Sequence, residues 1–97
     1  MRGSAFVLLL LLQGGSALAD ARQDCAKLKG DAAIAACSAA IRDDPRAAYA
    51  YINRGNAYYG KKEYDRAIAD YNRAIEVNPN DVNAYRDVAA LAKLRVT

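Results

Sequence analysis

A stretch of small and aromatic residues at fixed spacing, from Ala48 to Asp81, constrains the fold of this chain more than any other feature. It reads AYAYINRGNAYYGKKEYDRAIADYNRAIEVNPND. Small or apolar residues recur three and four positions apart on both sides of a hydrophilic break at residues 60–62, which is the spacing of one helix face. The pattern predicts two amphipathic helices joined by a turn, followed by a stop at Pro79.

The limits of the two helices follow from turn and capping residues. The first helix is predicted from about Arg46 to Gly60, with Pro45 in its first turn and one of the preceding aspartates as its N-cap. The second is predicted from about Tyr64 to Val77. Residues 78–81, with sequence NPND, are expected to end the second helix and cap the next one.

Small residues explain how the two helices can pair. Gly55 and Ala67 carry little or no side chain, so the helices can approach closely there. Tyr51, Tyr58 and Tyr71 are expected to fill the wider gaps around that contact.

This pattern resembles the tetratricopeptide repeat (TPR), a 34-residue helix-turn-helix unit. The residues that carry the resemblance by position are Tyr51, Gly55, Tyr58, Ala67, Tyr71, Ala74 and Pro79. Arg54 departs from the leucine usual in the family. The resemblance implies an all-α fold in which antiparallel helix pairs form a short right-handed solenoid.

The same period extends in both directions along the chain. The second helix of a preceding unit is marked, at the same interval, by Ala33, Cys37, Ala40 and Pro45. Tyr85 follows Tyr51 by one period and opens a third unit. We expect a degenerate repeat over 20–47, a complete repeat over 48–81 and a capping helix over 82–97, or about two helix pairs plus a closing helix.

The closing helix should cover the exposed side of the complete repeat. The residues expected to do so are Val82, Tyr85, Val88, Ala89 and Ala92. Those expected to lie partly outside this stripe, where an apolar patch could attract a partner, are Leu91, Leu94 and Val96.

Residues 1–19 have the three-part pattern of a secretory signal peptide. Arg2 is followed by an apolar run from Ala5 to Leu12, and small residues precede Asp20 in the manner of a cleavage site. The alternative is an uncleaved anchor, but such a run spans only about 12 Å as a helix, against a hydrocarbon core of roughly 30 Å. We expect a bacterial exported protein, periplasmic or secreted, that begins at Asp20 and has no stable membrane insertion after cleavage.

The two cysteines, Cys25 and Cys37, are expected to form a disulfide. An exported chain meets an oxidising compartment, and the pair lies about equally far from a break at residues 30–31 between two helical stretches, residues 22–29 and 32–42. Their spacing is wrong for a C-x-x-C redox pair, and a metal site would need further ligands. A redox pair, a metal site and free thiols remain alternatives.

In the TPR family the first helices of successive pairs line a concave groove that binds peptides. By position, the resemblance places on the groove side Tyr49, Ile52, Asn53, Asn56, Tyr59, Asn83, Arg86, Asp87, Ala90 and Lys93. Arg86 and Lys93 could hold a carboxylate, although the basic residues of the family's carboxylate clamp are incomplete here. The alternative is that these residues form an ordinary solvated face.

Composition argues against several other functions. The net charge of +3 comes from interspersed charges, unlike a nucleic-acid-binding surface. Histidine is absent from the sequence, which removes the commonest general base and metal ligand. We therefore expect no enzyme, cofactor or metal site, but a protein- or peptide-binding adaptor or assembly scaffold. The alternatives are a homo-oligomer and a truncated fragment of a longer repeat array with no binding activity of its own.

Overall fold

A computed structural model describes residues 20–96 of the chain, with backbone only for residues 95 and 96. The predicted signal peptide, residues 1–19, lies outside the described residues. The described part consists of five helices joined by short turns and contains no strand. They are α1 (residues 20–27), α2 (Gly30–Asp43), α3 (Ala48–Gly60), α4 (Tyr64–Val77) and α5 (Val82–Val96).

Each helix packs mainly against its neighbours in sequence, so the layers are stacked along the chain: α2 on α3, α3 on α4, and α4 on α5. Small residues dominate the buried positions, and alanines such as Ala50, Ala67 and Ala74 are completely buried. Because an alanine core has little apolar area per residue, the larger side chains Tyr71 and Leu91, each 2% exposed, supply a large share of the burial.

The α1–α2 pair is antiparallel and is held by a covalent link. The sulfurs of Cys25 and Cys37 are bonded, with their Cα atoms 4.6 Å apart. Farther from the turn, Arg22 pairs with Asp43 at 3.3 Å. The break between the helices lies at residues 28–29 rather than at residues 30–31. Gly30 has φ +63°, a left-handed value that suits glycine, and it is already the first residue of α2.

The expected cap of α3 is wrong. Asp44 accepts the N–H of Arg46 on Oδ1 and the N–H of Ala47 on its carbonyl, both at 3.0 Å. These bonds place Pro45 in a separate turn, and the helix begins only at Ala48, without a side-chain cap. The aspartate is engaged by the turn before the helix, so it does not reach the first helical N–H groups.

The corresponding turn before α5 does carry the expected cap. Asp81 Oδ1 accepts the N–H groups of Asn83 at 3.1 Å and Ala84 at 3.3 Å. Asp81 follows Ala47 by one repeat period. The same turn is therefore capped before α5 and uncapped before α3 because alanine replaces aspartate.

A lysine, not a glycine, takes the left-handed position at the end of α3. Lys62 has φ 64°, and its N–H donates to the carbonyl of Tyr59 at 2.9 Å. The N–H of Glu63 donates to the carbonyl of Tyr58 at 2.9 Å. These two bonds are those of a Schellman ending, which redirects the chain into α4.

The expected packing face of α5 requires a correction. Val82, Tyr85, Ala89 and Ala92 are exposed, whereas Leu91 is buried. Val88 does pack toward α4 as expected, and Ala84 and Leu91, at helical spacing from it, supply further contacts to α4. The predicted face of α5 is the equivalent, one repeat later, of the α3 face that packs against the following helix. In the structure α5 packs against the preceding helix, α4, and uses a largely different face to do so. The side chain of Val96 lies outside the described residues.

Candidate functional site

Two adjoining cavities lie along the face formed by α1, α3 and α5. The first, about 430 Å³, lies between the α1–α2 connection and α3. Its lining residues are Cys25, Ala26, Leu28, Lys29, Gly30, Asn53, Asn56, Ala57, Gly60 and Lys61. The second, about 270 Å³, lies between α3 and α5 and is lined by Asn56, Tyr59, Tyr71, Asp87, Ala90 and Leu91. Asn56 lines both, so the two cavities adjoin, and we call them together the groove.

A hydrogen bond from α4 holds the Asn56 side chain in place. The hydroxyl of Tyr71 on α4 donates a hydrogen bond to Asn56 Oδ1. The Asn56 amide nitrogen remains available to donate to a ligand in either cavity. Burial, with a smaller contribution from the nearby Asp87 carboxylate, raises the pKa of Tyr71 to about 12. The hydroxyl therefore remains protonated, and able to donate, at neutral pH.

The close approach of α3 to α4 that supports Asn56 depends on Gly55. A Cβ atom at this position would lie 2.7 Å from Cε1 and 2.9 Å from Cδ1 of Tyr71. The absent side chain leaves room for the Tyr71 ring of α4, so the close approach predicted at Gly55 includes a contact between the α3 backbone and that ring. The Tyr71 hydroxyl, at the end of this ring, thereby reaches Asn56 at the second cavity.

The structure brings part of the expected groove set together. Asn53, Asn56 and Tyr59 from α3 line the cavities, as do Asp87 and Ala90 from α5.

The other expected groove residues lie elsewhere. Ile52 is half-buried and packs against two parts of the core, one containing Tyr51 and the other Tyr71. Tyr49, Asn83, Arg86 and Lys93 are exposed and are not among the residues that line either cavity. Exposure leaves them accessible to a ligand that extends beyond the cavities.

Sequence reasoning missed the contribution of the α1–α2 connection to the groove. Leu28, Lys29 and Gly30 form one side of the first cavity, and Cys25 lies beside them. The repeat period already aligns Cys25 with Tyr59, which lines the second cavity. This alignment could have indicated that Cys25 lies at the groove. No such alignment was available for residues 28–30, because the first repeat is degenerate.

The groove carries opposite charges at its two ends. Lys29 and Lys61 line the first cavity. Lys61 pairs with Asp31 and lies 3.7 Å from Glu63, and the hydrogen bond to Asp31 raises the pKa of its ammonium group. Asp87 is the only charged residue among those that line the second cavity.

A partly buried ionic network joins α2, α3 and α4. Arg54 on α3 reaches Asp70 on α4 and donates from Nη1 to Ser38 Oγ on α2 at 3.1 Å. The hydrogen bond to Asp70 raises the pKa of the Arg54 guanidinium above its usual value. Asp70 is 6% exposed, so the network holds three consecutive helices through partly desolvated charges.

Within residues 20–96, no three histidine, cysteine or acidic side chains come close enough together to hold a metal ion. None of the helices in this part of the chain is both long and apolar enough to cross a membrane.

Comparison with known proteins defines the class of this fold. Residues 48–81 match the family model of the tetratricopeptide repeat. A solved structure described as the first TPR of Spaghetti (RPAP3) bound to the HSP90 peptide SRMEEVD is similar, with a TM-score of 0.67 and 24% identity. The similarity covers 69% of this chain and 53% of that one. The predicted fold class, an all-α solenoid of TPR-like helix pairs, is confirmed.

Similar segments also occur in much longer proteins. The chain is 43% identical over 53 residues to "DnaJ homolog subfamily C member 3 homolog" of Dictyostelium discoideum, covering 55% of this chain and 11% of that protein. It is 40% identical over 47 residues to "Hsp70-Hsp90 organizing protein 3" of Arabidopsis thaliana, covering 48% of this chain and 8% of that protein. The chain thus spans about a tenth of the length of these relatives.

Proposed function

We propose that this chain is a non-enzymatic peptide- or protein-binding module, whose groove holds an extended segment of a partner protein. The observation that carries the proposal is that the two cavities adjoin at Asn56, which lines both. Two adjoining cavities lined by residues of α1, α3 and α5 suit a chain segment better than a compact small molecule.

The side chains that line the groove have the chemistry that such binding requires. Asn53 and Asn56 can each donate to a peptide carbonyl and accept from a peptide N–H. Tyr59 is 47% exposed and offers a large, stiff surface that loses little entropy on binding. The Tyr71 hydrogen bond orients Asn56 before a ligand arrives, which lowers the entropy cost of binding.

The comparisons support a peptide as the partner. The similar solved structure is a TPR domain described with a bound HSP90 peptide. One similar protein is described as an Hsp70-Hsp90 organizing protein. These are properties of those proteins, and by analogy they support an adaptor or scaffold role for this chain.

We also propose that the chain acts after export, in the periplasm or outside the cell, starting at Asp20. The leader pattern of residues 1–19 supports this location. The bonded sulfurs of Cys25 and Cys37 suit an oxidising compartment. Intact mass measurement of the exported protein tests both points. We expect an N-terminus at Asp20 and a mass lower by two hydrogens, whereas a retained leader or a free-thiol mass would contradict the proposal.

A random peptide library displayed on phage and panned against oxidised residues 20–97 tests the binding function. Enriched peptides are then measured by calorimetry against the wild type and two tyrosine variants. Tyr59→Ala should weaken binding about tenfold or more, since a stacked or packed tyrosine side chain typically contributes more than 1 kcal/mol. Tyr85→Ala is the matched control, because Tyr85 is 49% exposed and is not among the residues lining either cavity.

Two outcomes would contradict the proposed function. One is a panning experiment that enriches no peptide. The other is a set of peptides whose affinity falls equally for Tyr59→Ala and Tyr85→Ala. Sedimentation of the same samples distinguishes a monomeric module from the alternative of a homo-oligomer.

A further inference from the structure

The charge at the α5 end of the groove restricts which peptide can lie there. Asp87 lines the second cavity together with Asn56, Tyr59 and Tyr71. The other lining residues of that cavity are uncharged, and Asp87 is only partly exposed. A ligand that enters the cavity therefore meets one carboxylate in a partly desolvated setting, where charge interactions are stronger than in bulk water.

We propose that the second cavity selects a peptide that carries a lysine or arginine side chain next to Asp87. This inference rests on the proposed function and adds the chemistry of the ligand. A cationic side chain would donate a charge-assisted hydrogen bond to the carboxylate, while its aliphatic stem lies against Tyr59 and Ala90. A glutamate or a C-terminal carboxylate at the same position would be repelled.

The neighbouring groups reinforce this preference. The Tyr71 hydroxyl is already donated to Asn56 Oδ1, so it is not available to neutralise Asp87 by donating to it. The exposed basic residues Arg86 and Lys93 on α5 are not among the cavity residues. The specificity of this end thus differs from the carboxylate binding that the sequence suggests for Arg86 and Lys93. It also differs from the acidic peptide named with the similar TPR structure.

The charge of the first cavity determines the orientation in which the peptide binds. Lys61 there is paired with Asp31, which leaves Lys29 as a cation on the cavity wall at that end. A basic side chain of the ligand is therefore favoured at the α5 end and disfavoured at the α1 end. The ligand should bind in one orientation.

Three heptapeptides test the proposal directly. All are N-acetylated and C-amidated, so that terminal charges are absent, and they differ only in the central residue: lysine, glutamate or alanine. Each is titrated to millimolar concentration into ¹⁵N-labelled, oxidised residues 20–97, and backbone chemical shifts report both affinity and site. The lysine peptide should bind about tenfold more tightly than the glutamate peptide, with the largest shifts at Asp87 and Asn56.

Variants at Asp87 identify the group responsible. Asp87→Asn should abolish the preference for lysine over glutamate, and Asp87→Lys should reverse it. Glu76→Gln is the control, because it removes one negative charge from an exposed side chain of α4 that pairs with Arg73, away from the cavity residues. This control should retain the lysine preference.

The outcomes separate this inference from the function on which it rests. If the peptides shift groove resonances but bind equally well, or if Asp87→Asn keeps the preference, the inference is overturned and peptide binding stands. If the preference disappears equally in Glu76→Gln, the selectivity reflects net charge and the inference is also overturned. If none of the peptides shifts the groove resonances at millimolar concentration, the proposed function and the inference both fail.

Discussion

The Arg54 guanidinium donates two hydrogen bonds to the Asp70 carboxylate, from Nε to Oδ2 and from Nη2 to Oδ1, each 2.8 Å long. The pair joins α3 to α4, and the contact from Arg54 to Ser38 continues it to α2. Arg54 occupies the position where the repeat pattern that this stretch resembles usually has leucine. An ionic contact between α3 and α4 therefore stands where the resemblance implies an apolar one.

The Arg54–Asp70 pair predicts that removing one charge destabilises the fold more than removing both. Arg54→Leu should lower the free energy of unfolding by about 3 kcal/mol, because it leaves Asp70 buried without its partner. The double variant Arg54→Leu/Asp70→Ala should recover most of that loss, since it removes the buried charge as well. Urea denaturation followed by circular dichroism measures both. A double variant no more stable than Arg54→Leu would contradict this account of the pair.

The contact of Gly55 with Tyr71 predicts a large cost for a single methyl group. Gly55→Ala places a Cβ atom 2.7 Å from the Tyr71 ring and should cost about 1–3 kcal/mol by overpacking. Gly60→Ala is the matched control, because a Cβ atom there meets nothing within 4 Å. It should be neutral or stabilise the helix by up to about 1 kcal/mol. Equal melting temperatures for the two variants would argue against the described packing of α3 on α4.

The disulfide should contribute a large share of the stability of so small a core. Cys25 and Cys37 are 12 residues apart, and a loop of that size corresponds to about 3 kcal/mol in the chain-entropy treatment. Cys25→Ala/Cys37→Ala should lower the free energy of unfolding by about that amount. Reduction of the wild type should give a similar loss and leave the double variant unchanged. A wild-type midpoint that does not move on reduction would contradict the prediction.

The raised pKa of Tyr71 predicts a loss of stability at high pH. Tyrosine is neutral below its pKa, and the folded state raises that pKa from 10.0 to about 12 by burial. The contribution of the neutral Tyr71 hydroxyl to the free energy of unfolding is therefore complete below about pH 10. It is lost as the pH rises toward 12, because Tyr71 ionises at a lower pH in the unfolded chain than in the folded one. Tyr71→Phe should show a smaller decline over this range. Identical pH profiles of unfolding for the two proteins would rule out Tyr71 as the source.

Local sequence signals predicted the helices well. The expected limits of α4 and α5 agree with the structure, because NPND at residues 78–81 combines a helix stop with a side-chain cap. The start of α3 was placed too early because Pro45 and Asp44 are compatible with either a cap or a preceding turn. Only the three-dimensional hydrogen bonds of Asp44 distinguish the two.

Residue contacts between helices were harder to predict. The burial of Asp70 could not be read from a helix surface rich in charge, because it depends on Arg54 lying opposite. The packing face of α5 was misassigned because one period of the repeat contains two apolar faces, directed toward the preceding and the following helix. Leu91 belongs to the first face and Tyr85 to the second. Repeat position pointed to Asn53, Asn56 and Tyr59, which line the groove, but also to Tyr49 and Ile52, which do not, and it gave no indication of the residues from the α1–α2 turn.

The central claim is that the groove binds a peptide, and chemical-shift mapping tests it most directly. A peptide selected by panning is titrated into ¹⁵N-labelled, oxidised residues 20–97, and the perturbed amides are located on the structure. The account predicts that the largest shifts fall on Asn53, Asn56 and Tyr59 of α3 and on Asp87 and Ala90 of α5. Shifts centred instead on the exposed face of α5 that contains Val82 and Tyr85, with the groove amides unmoved, would contradict it.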